Sequence, residues 1–304
     1  MKIVWAAKCI TSKKLQIMRK LSIRTYFKRF SLLALICLLH AGAVPSHNST
    51  AVNEAMAAGV DMRWWNSLSP QWQKYFVRKV GVNRSPSPAD FKKIYELQSI
   101  DCSRLLIRTL RPLTPLKNLR ILWCDNTKIN NLAPISRLTN LVDLSFAETK
   151  VMSLDPISNL KKLKKIEFYN TQVSRLRPLS NLQSLRVIDC SGAPVDNIGP
   201  VSSLKNLEVI YFNKTKVSSL AALEKLTSLK EVSFLGTPVS DLSPIQNLPK
   251  LKELVFQYTN VSNLKPIHDM KQLKVIYCEN SKVTAKEVHA LEAANPSCQV
   301  YSNY

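Results

Sequence analysis

From Ile94 onwards the apolar residues of this chain recur with a single period of 22 residues that does not drift. Leu116, Leu138, Leu160, Leu182, Leu204, Leu226, Leu248 and Met270 open successive units of the form L-x-x-L-x-x-L-x-F/C-x-x-T-x-V-x-x-L-x-P-I-x-x. A second apolar column runs from Leu97 through Leu119 to Leu273, and a third from Ile100 through Leu122 to Ile276. Two residues beyond the third column, Cys and Phe share a position: Cys102, Cys124, Phe146, Phe168, Cys190, Phe212, Phe234, Phe256 and Cys278. This alternation predicts a short strand in each unit, with residues such as Leu122 and Cys124 pointing inward. Later Val, Leu and Ile positions, such as Val151, Leu154 and Ile157, fill the same core from a return leg. Pro134, Pro156, Pro178, Pro200, Pro244 and Pro266 fix the backbone of that leg and disfavour a long helix, so short 3₁₀ or irregular segments are expected there. No unit can bury its apolar face alone, so the array must stack and be capped.

The pattern resembles the leucine-rich repeat, L-x-x-L-x-L-x-x-N/C-x-L. Its length and its Leu-x-Pro-Ile ending look like the internalin type of bacterial surface and secreted proteins, over residues 94–283. The resemblance implies an α/β solenoid, a horseshoe or arc with a parallel β-sheet on the concave face. The convex side would be 3₁₀ or irregular, and helical caps would close the ends. One departure is consistent. The family's Asn slot holds Thr127, Thr149, Thr171, Thr215, Thr237, Thr259 and Ser281, with Leu105 and Ala193 as exceptions. Thr can bond the turn backbone as Asn does, but more weakly.

Residues 61–93 read as a helical N-terminal cap. Ser69-Pro70 and Ser87-Pro88 are helix starts with Pro at the first position. Trp72, Tyr75, Phe76 and Val80 follow at helical spacing. Trp64 and Trp65 are expected to seal the first repeat, with carbohydrate stacking as the alternative, and the Trp-Trp-Asn-Ser-Leu opening resembles the segment before such repeats in some bacterial secreted proteins. Residues 284–304 read as the C-terminal cap. Thr284-Ala-Lys-Glu287 predicts a capping box, Val288 and Leu291 face the last repeat, Asn295-Pro296 ends the helix, and Cys298 and Val300 close the core.

Upstream lies a different pattern. Arg19, Lys20, Arg24, Lys28 and Arg29 precede an apolar run from Phe30 to Leu39, and Ala41-Gly42-Ala43 follows. A basic stretch, a run too short to span a bilayer and a small-x-small site together predict a cleavable signal peptide over residues 1–43. Met18 is an alternative start, and an uncut anchor is the alternative fate. Residues 44–60 have no period and read as a flexible linker. The expected location is secreted, periplasmic or cell-surface.

The leader changes how the charge is read. The net charge is +22, but residues 1–43 hold nine of the 43 bases and none of the 21 acids. What remains is a moderately basic solenoid without a motif for sequence-specific nucleic-acid recognition. Two of the seven cysteines, Cys9 and Cys37, fall in the leader. Four of the others share the inward column with phenylalanine, which reads as core packing. Cys102 and Cys124 are neighbours in the stack, near enough for a disulfide but pointing the same way, and reduced thiols are favoured. No Cys-x-x-Cys or His-Glu-x-x-His occurs, so no metal site is expected. No cofactor and no catalytic residue is assigned.

The outward strand residues define the candidate binding face. Its aromatic and acidic members are Trp123, Asp125, Asp143, Glu167, Tyr169, Asp189, Tyr211, Glu231, Glu253, Tyr277 and Glu279. Trp and Tyr often dominate binding energy, and the acids suggest a basic or hydroxyl-rich partner. A solvated sheet in which Tyr is simply a good strand former is the competing reading. Lys117, Lys161, Lys162, Lys164, Lys205, Lys230, Lys250, Lys252, Lys271 and Lys274 cluster near the turn into each strand and form a basic edge. The expected function is non-enzymatic capture of a protein or peptide on the concave face. The alternative is a cell-envelope protein that uses the basic edge on an anionic polysaccharide or a membrane surface. Oligomeric state is not legible.

Overall fold

A computed structural model describes residues 60–304. The expected signal peptide, with Cys9, Cys37 and the alternative start Met18, and the linker before Val60 lie outside the described residues. Three helices come first: α1 (Val60–Asn66), α2 (Pro70–Val80) and α3 (Pro88–Tyr95). Ten three-residue strands then form one parallel sheet in strictly sequential order. They are β1 (Ser99–Asp101), β2 (Ile121–Trp123), β3 (Asp143–Ser145), β4 (Lys165–Glu167), β5 (Val187–Asp189), β6 (Val209–Tyr211), β7 (Glu231–Ser233), β8 (Glu253–Val255), β9 (Val275–Tyr277) and β10 (Gln299–Tyr301). Each return leg from Arg111–Leu113 to Lys265–Ile267 is a 3₁₀ turn, as the prolines predict where they occur, and Ala221–Leu223 forms one without proline. Helix α4 (Ala285–Ala294) separates β9 from β10.

The register follows the apolar period. Ile100 pairs with Leu122, Leu122 with Leu144, and so on to Ile276 with Val300. The Cys/Phe column is buried, and its rings stack along the solenoid: Phe146 on Phe168 at 5.8 Å, Phe212 on Phe234 at 5.8 Å, and Phe234 on Phe256 at 5.9 Å. Backbone bonding extends past the three strand residues. The Cys124 N–H donates to Ser145 C=O at 2.9 Å, and the Asn126 N–H to Ala147 C=O at 2.8 Å.

Three polar columns shape the turns. Thr127, Thr149, Thr171, Thr215, Thr237, Thr259 and Ser281 each donate a hydroxyl bond of 2.6–2.8 Å to the carbonyl three residues back. These bonds close each turn on itself rather than tying one repeat to the next. A second column starts the 3₁₀ turns: Thr109, Asn131, Ser153, Asn197, Ser219, Asp241 and Asn263 accept from the amide two residues on, at 2.7–3.2 Å. Arg175 interrupts it. In the third column the backbone is left-handed. Arg104, Asn126, Glu148, Asn170, Gly192, Lys214, Gly236, Tyr258 and Asn280 all have φ between 51° and 70°. The strand must reverse within one residue here, and five of the nine are Asn or Gly, the types that tolerate it. At Gly192 a Cβ would sit 2.2 Å from Asn170 Oδ1, so a side chain there would force Asn170 to turn away.

The N-terminal tryptophans belong to the cap. Trp64 Nε1 donates to Pro112 C=O at 3.2 Å, Trp72 Nε1 to Thr109 C=O at 3.2 Å, and Trp65 Nε1 to Arg84 C=O at 3.0 Å. Trp64 and Trp72 therefore grip the first return leg, while Trp65 and Trp72 are almost wholly buried. At the far end the capping box is only half formed. Thr284 Oγ1 accepts from the Glu287 N–H at 3.4 Å, but Glu287 Oε2 turns away to accept from the Leu264 N–H at 2.8 Å. The carboxylate satisfies an amide of the last repeat instead of its own helix end, and so ties α4 to the stack. The chain then adds a tenth strand. Cys298 is buried, Val300 is half-buried as the centre of β10, and the Tyr301 ring stacks on Tyr277 at 4.8 Å.

Candidate functional site: the sheet face

In each strand the central residue points into the core, which leaves its two neighbours on the opposite face of the sheet. All eleven aromatic and acidic candidates lie on or just beyond these strands and share that face. Asp143 and Asp189 are sunk into it, at 8% and 2% exposure. Trp123, Asp125, Glu167, Tyr169, Tyr211, Glu231, Glu253, Tyr277 and Glu279 are half-buried.

The face is cross-linked between repeats. Trp123 Nε1 donates to Asp143 Oδ1 at 3.1 Å. Asp125 Oδ1 accepts from Ser145 Oγ at 2.5 Å and from the Ala147 N–H at 2.8 Å. Four repeats on, Asn213 Oδ1 does the same, accepting from Ser233 Oγ at 2.6 Å and the Leu235 N–H at 2.8 Å. Tyr211 Oη donates to Glu231 Oε2 at 2.5 Å, and Gln257 Nε2 donates to Glu279 Oε2. Lys165 Nζ pairs with Glu167 Oε2 at 2.8 Å within one strand. Hydrogen bonds of this kind hold the exposed edges of the side chains in fixed positions before any partner arrives.

Burial dominates the electrostatics. It pushes the Asp125 carboxyl above the ordinary range, against the pull of Ser145 and Ala147. It does the same to Asp143, against Lys165 and Trp123. Glu167 is pushed up to about 7 by burial, which its Lys165 partner only partly offsets. Burial would lower Lys165, but Glu167, Asp143 and Asp125 outweigh it and hold the ammonium above its usual value.

Three features of the face fall outside the chosen residues. Lys165 sits among the acids as their counter-charge, although its position on the outward face is readable from the period. Asp101 continues the acid row onto β1 and was legible by the same spacing. Tyr301 carries no such signal, because Val300 follows Ile276 by 24 residues and breaks the phase.

Thiol chemistry finds no support here. Cys102, Cys124, Cys190, Cys278 and Cys298 are free and buried, and burial pushes every one of these thiols upward, away from the reactive thiolate. Among the described residues no group of three or more His, Cys, Asp or Glu is placed to hold a metal ion. Nor, among them, is any helix long and apolar enough to cross a membrane.

No family model and no curated protein sequence matches the chain. Solved structures do match it. Internalin C2 of Listeria monocytogenes superposes with a TM-score of 0.64 at 23% identity, covering 68% of this chain and 92% of that one. A leucine-rich-repeat protein of Leptospira interrogans gives 0.65 at 20% identity, covering 70% and 56%. The leucine-rich-repeat ectodomain of the Arabidopsis thaliana receptor kinase GASSHO1/SCHENGEN3, in complex with Casparian strip integrity factor 2, gives 0.59 at 14%, covering 71% and 28%. At these identities the likeness is one of fold, and the fold of this chain is that of an internalin-like leucine-rich-repeat solenoid.

Proposed function

We propose that this chain is an exported, non-enzymatic binding protein that holds a protein or peptide across its sheet face. The observation that carries the reading is the cross-linked array of half-buried aromatic and acidic side chains. Trp123, Tyr211 and their carboxylate partners are already fixed by hydrogen bonds between repeats. A partner that docks there meets rings whose rotamers are set, so less conformational entropy is lost on binding. The acids favour a partner segment with Lys, Arg or hydroxyl groups facing the sheet. Export rests on the basic and apolar pattern of residues 18–43.

The test is capture by the immobilised chain at low and at high salt, with bound polypeptides identified by mass spectrometry. Retention of one protein at both salts, lost in the Trp123→Ala, Tyr211→Ala double variant with an unchanged circular-dichroism spectrum, supports the reading. Unchanged capture by the double variant sinks it.

A further inference from the structure

The residues that enter each strand form a row along one edge of the sheet: Gln98, Arg120, Val142, Lys164, Arg186, Glu208, Lys230, Lys252 and Lys274. The row is not uniform. In its middle the charge is partly offset, since the one carboxylate of Glu208 pairs with both Arg186 at 2.9 Å and Lys230 at 2.5 Å and leaves one positive charge among the three. Beyond Lys230 the row is purely basic. The Lys252 N–H bonds Lys230 C=O and the Lys274 N–H bonds Lys252 C=O, each at 2.8 Å, so the three lysines stand on successive rungs. Rungs of a sheet lie about 4.8 Å apart. Lys252 and Lys274 are exposed and, among the described residues, have no carboxylate at ion-pair distance. Lys250 and Lys271, also exposed, stand in the turns that lead into the same strands.

Like charges on adjacent rungs repel, and so cost the fold stability. A linear polymer with anionic groups along its length relieves that repulsion. We propose that the C-terminal end of this edge, Lys230, Lys250, Lys252, Lys271 and Lys274, binds an anionic polysaccharide that runs across the strands. Two observations favour a polysaccharide over other polyanions. The aromatic side chains Tyr211 and Tyr277 stand on the sheet face rather than in the row, so bases have no stacking platform there. No apolar side chain stands among the five lysines to enter a bilayer.

The experiment compares two triple variants of the full chain on immobilised dextran sulfate. Lys230→Gln, Lys252→Gln, Lys274→Gln removes the row. Lys128→Gln, Lys150→Gln, Lys282→Gln removes the same charge from the exposed turns after the strands. All six positions are exposed, so both variants should keep the parent's circular-dichroism spectrum. The row variant is expected to bind at least about tenfold more weakly at low salt and to show a shallower salt dependence, while the control stays within about twofold of the parent. Equal losses in both variants would overturn the proposal, because net charge alone would then account for retention. Tighter binding of the parent to duplex DNA or to phosphatidylserine vesicles than to dextran sulfate, at the same salt, would also overturn it. The Trp123→Ala, Tyr211→Ala variant should bind dextran sulfate as the parent does, which separates this edge from the sheet face.

Discussion

The two sides of each strand are built on different rules. On β7, Val232 and the adjoining Phe234 point inward, while Ser233 points outward. The inward side repeats: every unit offers a Leu, Ile or Val followed two residues later by Cys or Phe. The outward side does not, and one rung carries Trp123 where the next has Ser145 and the one after Glu167. Inside, each side chain packs on copies of itself one repeat away, so one residue type fits every level. Outside, each side chain bonds a different neighbour. The solenoid therefore derives its stability from the repeated side and leaves the varied side free to be selective.

Adjacent residues at the end of β7, Ser233 and Phe234, offer the sharpest way to break this comparison. Phe234 lies between Phe212 and Phe256, and Phe234→Ala opens a cavity in the middle of the stack. It should cost roughly 3–5 kcal/mol in chemical denaturation. Ser233→Ala, one residue earlier, loses only the bond to Asn213, at a cost of about 1 kcal/mol. Comparable losses in the two variants would show that the outer bonds hold the fold as firmly as the core does.

A titration probes the outer face from another side. With its carboxyl near 7 in the folded chain against 4.5 ordinarily, Glu167 binds more protons folded than unfolded between those values. Its contribution to stability is thus greatest in acid and falls as pH rises through about 7. Carboxyl ¹³C NMR should place its midpoint near 7, and Glu167→Gln should flatten the pH dependence of stability above 4.5. A midpoint near 4.5 would mean that water reaches this part of the face and that the outer ladder is looser than the geometry indicates.

Much of this architecture is legible in the chain before any coordinates. The period places Leu122 at the centre of a strand and Ile121 and Trp123 on its outer face, as observed. The prolines foretell the 3₁₀ turns. Even the left-handed column was open to reading, since Asn126, Asn170, Gly192, Gly236 and Asn280 stand in phase, but Glu148, Lys214 and Tyr258 in the same slot disguise it. The end of the solenoid was harder. Glu287 reads locally as half of a capping box, because the local pattern cannot show that the Leu264 amide lies within reach. Strand β10 follows a helix rather than a 3₁₀ turn, and the longer detour shifts it out of phase.

What the sequence determined by itself is everything that repeats: the parallel sheet, its register, the buried columns and the turn type, all of which need only one unit stacked on copies of itself. Tertiary structure alone decided the pairings on the outer face. Trp123 with Asp143, Asp125 with Ser145, and Tyr211 with Glu231 join side chains 20 residues apart whose reach depends on how two particular rungs present them. The reason is physical. Apolar burial is non-directional and needs only the right side of the strand, whereas a hydrogen bond needs a donor and an acceptor at one distance and angle.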